Sequence, residues 1–206
     1  MRGEELLARK MLDHPFYRAW EKGQVPVSVL SAYAQAYLMI LTRMPDWWKK
    51  AGMLVSASDH SLLARIRSIV EEERNHVLLW KMWMDKLPSY RESGKEIEES
   101  VGEFLTWMEG LTPSQVLGAI HSFEIQQPEV SRTKKQGLIR HYGFSSEDSW
   151  LAYFDEHMRE ERHIGVGEEV ARKYASREEF EEGVREGSLH WYNTLDVFAK
   201  MSGIQC

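Results

Sequence analysis

Residues 66–84 read IRSIVEEERNHVLLWKMWM. Wound at about 100° per residue, Ile66, Ile69, Val70, Val77, Trp80 and Met84 fall on one apolar stripe of a helix. Glu73 sits near the middle of that stripe, His76 lies toward its edge, and Glu72 flanks it. A charge on a face that must be buried needs compensation. The stretch therefore predicts both a helix and a polar group turned into the protein interior.

The same pattern repeats outward from this helix. Val116, Ile120 and Phe123 define a core face that also carries Glu124 and Gln127. Trp150, Leu151, Phe154 and Met158 define another, with His157 and Glu161 inside it. The 3.6-residue period dominates the chain, and no strand alternation of useful length is visible. Helices are predicted over about 4–22 (jointed at His14-Pro15), 28–52, 59–87, 94–109, 113–142, 147–174 and 177–201. Pro45 and Pro128 fall inside these patterns and should break or kink them. Thr112-Pro113 offers an N-cap with proline at the first helical position, and Ser176 to Glu179 reads as a capping box. No linker or repeat divides the chain. The expectation is one all-α domain over residues 1–206, a bundle of about seven helices.

The composition restricts the function classes. With 206 residues, 43% hydrophobic and 28% charged, the chain is a folding domain of ordinary make-up. Its net charge of −6, with basic residues dispersed, argues against nucleic acid and anionic membranes as partners. The single cysteine, Cys206, excludes a disulfide framework and a cysteine-rich metal site. No apolar run approaches a membrane span, and the first residues lack a signal-peptide pattern, so a cytoplasmic protein is expected.

Glu73-x-x-His76 places two ligand-type groups one turn apart on a helix, the spacing of di-metal carboxylate bundles. Glu160-x-x-His163 repeats it, but a continuous helix turns His163 away from the apolar face, toward solvent. Glu73, His76, Glu124, His157 and Glu161 together offer three carboxylates and two imidazoles, a donor set suited to Fe or Mn. The bland alternative is that these charges are simply paired with one another.

Several longer motifs carry a resemblance. They are His14-Pro-Phe-Tyr17-Arg-Ala-Trp20, Leu30-Ser-Ala-Tyr33-Ala-Gln, Asn75-His76-Val-Leu-Leu-Trp80, Phe123-Glu-Ile-Gln-Gln-Pro128 through Arg132-Thr-Lys134, and Tyr153-Phe-Asp-Glu-His157. In this order they resemble the haem-oxygenase-like helical superfamily, which includes thiaminase II (TenA) and pyrroloquinoline-quinone synthase. They are most similar to its di-metal oxidase branch, that of the Chlamydia protein associating with death domains. Thiaminase II uses a cysteine where this chain has Gly118-Ala-Ile-His-Ser, so that activity is disfavoured.

The branch resemblance implies a dioxygen-dependent oxidase of folate biosynthesis that makes para-aminobenzoate from one of its own tyrosines. Tyr17 matches the sacrificed tyrosine and Lys134 the amino donor, while Tyr33 and Tyr153 match tyrosines able to carry oxidising equivalents. Among the implied metal ligands, His76, Glu124 and His157 match directly. Glu72 or Glu73 fills the first carboxylate position, helical phase favouring Glu73 and motif alignment Glu72. Glu161 stands where the branch has aspartate. The last histidine position falls on Ile164, with His163 one residue early. Completing a second metal site would then need a π-bulge that turns His163 inward, or Glu168 one turn on. Fe and/or Mn is the expected metal and dioxygen the co-substrate. A homodimer is expected by analogy. Two alternatives stay open: a di-metal oxygenase acting on an external small molecule, and a small-molecule-binding protein without turnover.

Overall fold

The computed structural model describes residues 3–89, 95–159 and 161–205. Among them there are eleven α-helices and no strand. In chain order these are α1 (Pro15–Glu21), α2 (Val27–Leu41), α3 (Met44–Gly52), α4 (His60–Met84), α5 (Lys95–Gly110), α6 (Pro113–Glu124), α7 (Gln127–His141), α8 (Ala152–His157), α9 (Glu161–Tyr174), α10 (Arg177–Asn193) and α11 (Asp196–Met201). The all-α expectation holds. Four of the expected continuous helices divide.

Two of those divisions follow from proline. Pro45 and Pro128 each occupy the first turn of a new helix, α3 and α7, where a missing N–H costs nothing. The preceding helices end at Leu41 and Glu124, whose caps Thr42 and Ile125 keep helical dihedrals. The break between α8 and α9 has no such marker in the sequence. Met158 closes α8 by donating its backbone N–H to the Phe154 carbonyl at 3.1 Å, and α9 begins at Glu161. Glu160 and Cys206 lie outside the described residues.

The caps are half as expected. Thr112 and Gln115 form a reciprocal capping box at the start of α6. Ser176 does not cap α10 with its side chain, and the Glu179 carboxylate, the other half of the expected box, instead accepts from the Thr112 hydroxyl at 3.1 Å.

Helices α6 and α10 cross with their backbones nearly touching. A Cβ on Gly118 would stand 2.2 Å from the Phe180 carbonyl oxygen, and one on Gly183 2.2 Å from that of Gln115. This tight seam fixes the height of Glu124 at the end of α6. The core around it is aromatic. Trp20, Trp80 and Trp83 are fully buried, and the Trp80 indole N–H donates to the Ala34 carbonyl at 2.8 Å. Trp150, expected on a core face, is instead partly exposed, with the Lys86 ammonium 3.6 Å from its ring centre. No described helix is long and apolar enough to cross a membrane.

Candidate metal centre and tyrosine chain

Four helices bring five of the expected donor residues to one place. Glu73 and His76 come from the middle of α4, Glu124 from the last residue of α6, His157 from the last residue of α8 and His163 from the first turn of α9. All five side chains are buried. One ligand atom from each of Glu73, Glu124 and His163 lies within 4.8 Å of the others. His163 Nδ1 is 3.3 Å from Glu73 Oε1 and 3.6 Å from Glu124 Oε1. His76 Nδ1 is 3.3 Å from Glu73 Oε2, and the His76 and His157 rings pack with centroids 4.2 Å apart.

His163 is thus inside, not solvated. The expectation failed because it assumed one helix over 147–174. The interruption after α8 re-phases α9, and the re-phased helix buries His163 while leaving Glu161 and Glu168 exposed. No π-bulge is needed, and neither Glu161 nor Glu168 joins the cluster. Glu72 and Glu73 occupy different places. Glu73 is 2% exposed and central, whereas Glu72 stands at the rim, 2.6 Å from Arg162 and 3.1 Å from His163 Nε2.

The electrostatics fit a cation. Burial by itself would push the Glu73 carboxyl up. Contacts with His163 and His76 overcome that and hold it well below the usual carboxylate range. His157 Nδ1 lies 2.8 Å from the Tyr153 carbonyl, which fixes the proton on Nδ1 and leaves Nε2 as the lone-pair nitrogen. A backbone carbonyl in that position is the usual outer support of a metal-binding imidazole. Carboxylate and imidazole donors spaced at 3–5 Å suit a metal whose bonds are about 2.0–2.2 Å long.

A second assembly begins where the first ends. Tyr153 stacks on His157 with centroids 4.0 Å apart, and its hydroxyl is 3.1 Å from that of Tyr37. Tyr37 stacks on Tyr33 at 5.6 Å, and the Tyr33 hydroxyl is 2.9 Å from that of Tyr17. All four tyrosines are buried. Burial raises the ionisation of Tyr17, Tyr33 and Tyr37 well above the ordinary phenol range, so each stays a neutral phenol. The family resemblance singles out Tyr17, Tyr33 and Tyr153 but not Tyr37. The available signal was its spacing, four residues after Tyr33 on the same face of α2.

Lys134 of α7 lies against this chain. It is 1% exposed, and its Nζ is 5.1 Å from the ring centres of Tyr17 and Tyr33 and 4.8 Å from that of Tyr37. Among the described residues that Nζ has no hydrogen-bond partner. Desolvation lowers its pKa to about 7. A cavity of about 20 Å³ adjoins Tyr17, Tyr33 and Tyr37, roomy enough for about one water-sized molecule.

Comparisons with known proteins place the chain in a family. The family model described as an iron-containing redox enzyme of haem-oxygenase type matches residues 67–194. A 4-aminobenzoate synthase of Chlamydia muridarum is 31% identical, the match covering 92% of this chain and 85% of that one. The enzyme of the same name from Chlamydia trachomatis is 32% identical over 72% of this chain and 68% of its own. Among solved structures, a TenA homologue from Pseudomonas syringae superposes with a TM-score of 0.72 at 13% identity, covering 92% of this chain and 86% of that one. That last likeness establishes the fold alone.

Proposed function

Because this chain belongs to the haem-oxygenase-like family of iron-containing redox enzymes, we propose that it is an iron- and dioxygen-dependent 4-aminobenzoate synthase that consumes its own Tyr17. The observation that carries the reading is the position of Lys134, an unpartnered buried amine held 5.1 Å from the Tyr17 ring centre.

Converting a tyrosine side chain into 4-aminobenzoate requires three changes. The phenolic oxygen is exchanged for nitrogen, Cβ is oxidised to a carboxylate, and the Cα–Cβ bond is broken. Glu73, Glu124 and His163 would hold iron, with His76 and His157 completing its surroundings. Bound there, iron supplies the reduction of dioxygen and hence the oxidising power.

The chain's own residues govern charge balance and proton movement. Two inward carboxylates offset the cation's charge in a site that excludes water. Tyr153, Tyr37, Tyr33 and Tyr17 link the His157 edge of that site to the reacting ring. Oxidation of a buried phenol must release its proton together with the electron, because neither charged form is solvated there. The hydroxyl pairs Tyr17–Tyr33 and Tyr37–Tyr153 give each phenol an oxygen to pass that proton to. Near pH 7 about half of Lys134 is the neutral amine, whose lone pair can form a C–N bond to an oxidised Tyr17 ring. Manganese remains an alternative occupant on the same donor chemistry.

The small size of the cavity beside Tyr17 favours an internal substrate over an external organic one, since a molecule of substrate size does not fit there. The test is to load the reduced protein with iron under argon, admit oxygen, and measure 4-aminobenzoate together with intact mass. Product from wild type and none from Tyr17→Phe is expected. Protein grown on ¹⁵N-lysine should release ¹⁵N-labelled product. Unlabelled product would remove Lys134 as the donor, and undiminished product from Tyr17→Phe would end the self-consumption reading.

A further inference from the structure

We propose that the cleft between α6, α9 and α10 is a binding site for a small aromatic carboxylate bearing an amino group. The cleft encloses about 530 Å³, within the usual range for small-molecule sites. Its back wall is His121, which is 3% exposed and stands one turn before Glu124 on α6. His121 Nδ1 is enclosed and has no hydrogen-bond partner among the described residues. It faces Gly167, where a Cβ would stand 3.7 Å away, so no side chain of that residue meets it. A buried polar atom left in this state is destabilising and calls for an explanation. With neither donor nor acceptor at Nδ1, His121 keeps unused hydrogen-bonding capacity in the wall of the cleft that it lines.

The rest of the lining states what kind of molecule fits. The Phe180 ring, 5.5 Å from that of His121, and Ala171 form an apolar floor for a flat body. Arg172 and Arg177 stand at the mouth. Arg177 uses its Nε on Glu181 at 2.7 Å, which leaves the fork of its guanidinium for a carboxylate. The cleft also contains the start of α10, whose N-cap Ser176 supplies no side-chain acceptor to the first turn. Backbone N–H groups and the helix dipole at that end add to the attraction for an anion. Glu168, on the same rim, offers an acceptor for an amino group at the ligand's other end.

The amino-substituted acid as natural ligand rests on the proposed function, since 4-aminobenzoate has this form. The affinity of the cleft for an aromatic carboxylate does not, and benzoate probes it separately. Calorimetric titration of the iron-loaded full chain with benzoate and with 4-aminobenzoate is the test. Saturable one-to-one binding is expected, weakened at least about tenfold in an Arg172→Ala/Arg177→Ala double variant, whose side chains are exposed and whose fold is not at stake. His121→Phe, which keeps an aromatic ring and removes both ring nitrogens, should weaken both ligands several-fold. Glu168→Gln should remove the preference for 4-aminobenzoate over benzoate. Absence of saturation with either probe up to about 10 mM, or unchanged binding in the double variant, overturns the site. Product formation by the wild type is scored separately. Benzoate binding that depends on the arginines, in a protein that makes no 4-aminobenzoate, keeps the cleft and discards the synthase.

Discussion

The hydroxyl of Tyr37 lies 3.1 Å from that of Tyr153, and this contact joins two otherwise separate pairs of tyrosines. On one side Tyr153 stacks on the candidate ligand His157. On the other, Tyr37 stacks on Tyr33, whose hydroxyl meets Tyr17. Removing one oxygen at position 37 should open the chain without touching a ligand. Tyr37→Phe is expected to bind iron as wild type does by elemental analysis and to lower the 4-aminobenzoate yield at least about tenfold, about 1.4 kcal/mol in the limiting barrier. An undiminished yield would remove Tyr37 from the path.

The re-phasing of α9 makes a prediction that distinguishes neighbours. His163→Ala and Glu73→Gln should each cut iron retention sharply, about tenfold or more, because they remove a buried donor. Glu161→Ala and Glu168→Ala should leave retention unchanged, since both side chains are exposed. Elemental analysis after anaerobic loading and gel filtration reads all four. Loss of iron from Glu161→Ala would contradict the placement of α9.

Lys134 should cost stability while serving function. Its folded pKa is about 7 against an ordinary 10.5, so unfolding takes up a proton between those values. The penalty of burying the charge is full below pH 7 and is relieved as pH rises toward 10.5. Lys134→Met should therefore raise the melting temperature by several degrees at pH 6–7, and the gain should shrink at pH 9. The same variant should make no 4-aminobenzoate. In the wild type, the initial yield should rise about tenfold from pH 6 to pH 8, following the neutral amine.

The α6–α10 seam should tolerate no side chain. Gly118→Ala would bring a Cβ to 2.2 Å from the backbone oxygen of Phe180, which cannot swing aside as a side chain can. A loss of about 3 kcal/mol or more is expected, or about 6–12 °C in the melting temperature of a chain this size. Gly102→Ala on α5 meets nothing within 4 Å and should be neutral or slightly stabilising. Thermal unfolding of the two variants checks the contrast.

The helical period, and the residues that period turns inward, are legible in the chain alone. Glu73, His76, Glu124 and His157 were legible because each interrupts an apolar stripe within a regular helix, where phase follows from position alone. Pro45 and Pro128 likewise announced their own breaks. Tyr17 and Lys134 came from motif resemblance, since nothing in their spacing, 117 residues apart, says that they meet. The remaining relationships come from how the helices pack. His163 and Glu161 exchanged places because α8 ends at His157 and α9 starts afresh at Glu161, with no proline or glycine in the sequence to mark the break. A change of phase of that kind is set by packing against α4 and α6. The tyrosine chain belongs to the same class. Its contacts join α1, α2 and α8, and the distance between two hydroxyls on different helices is a property of how those helices pack.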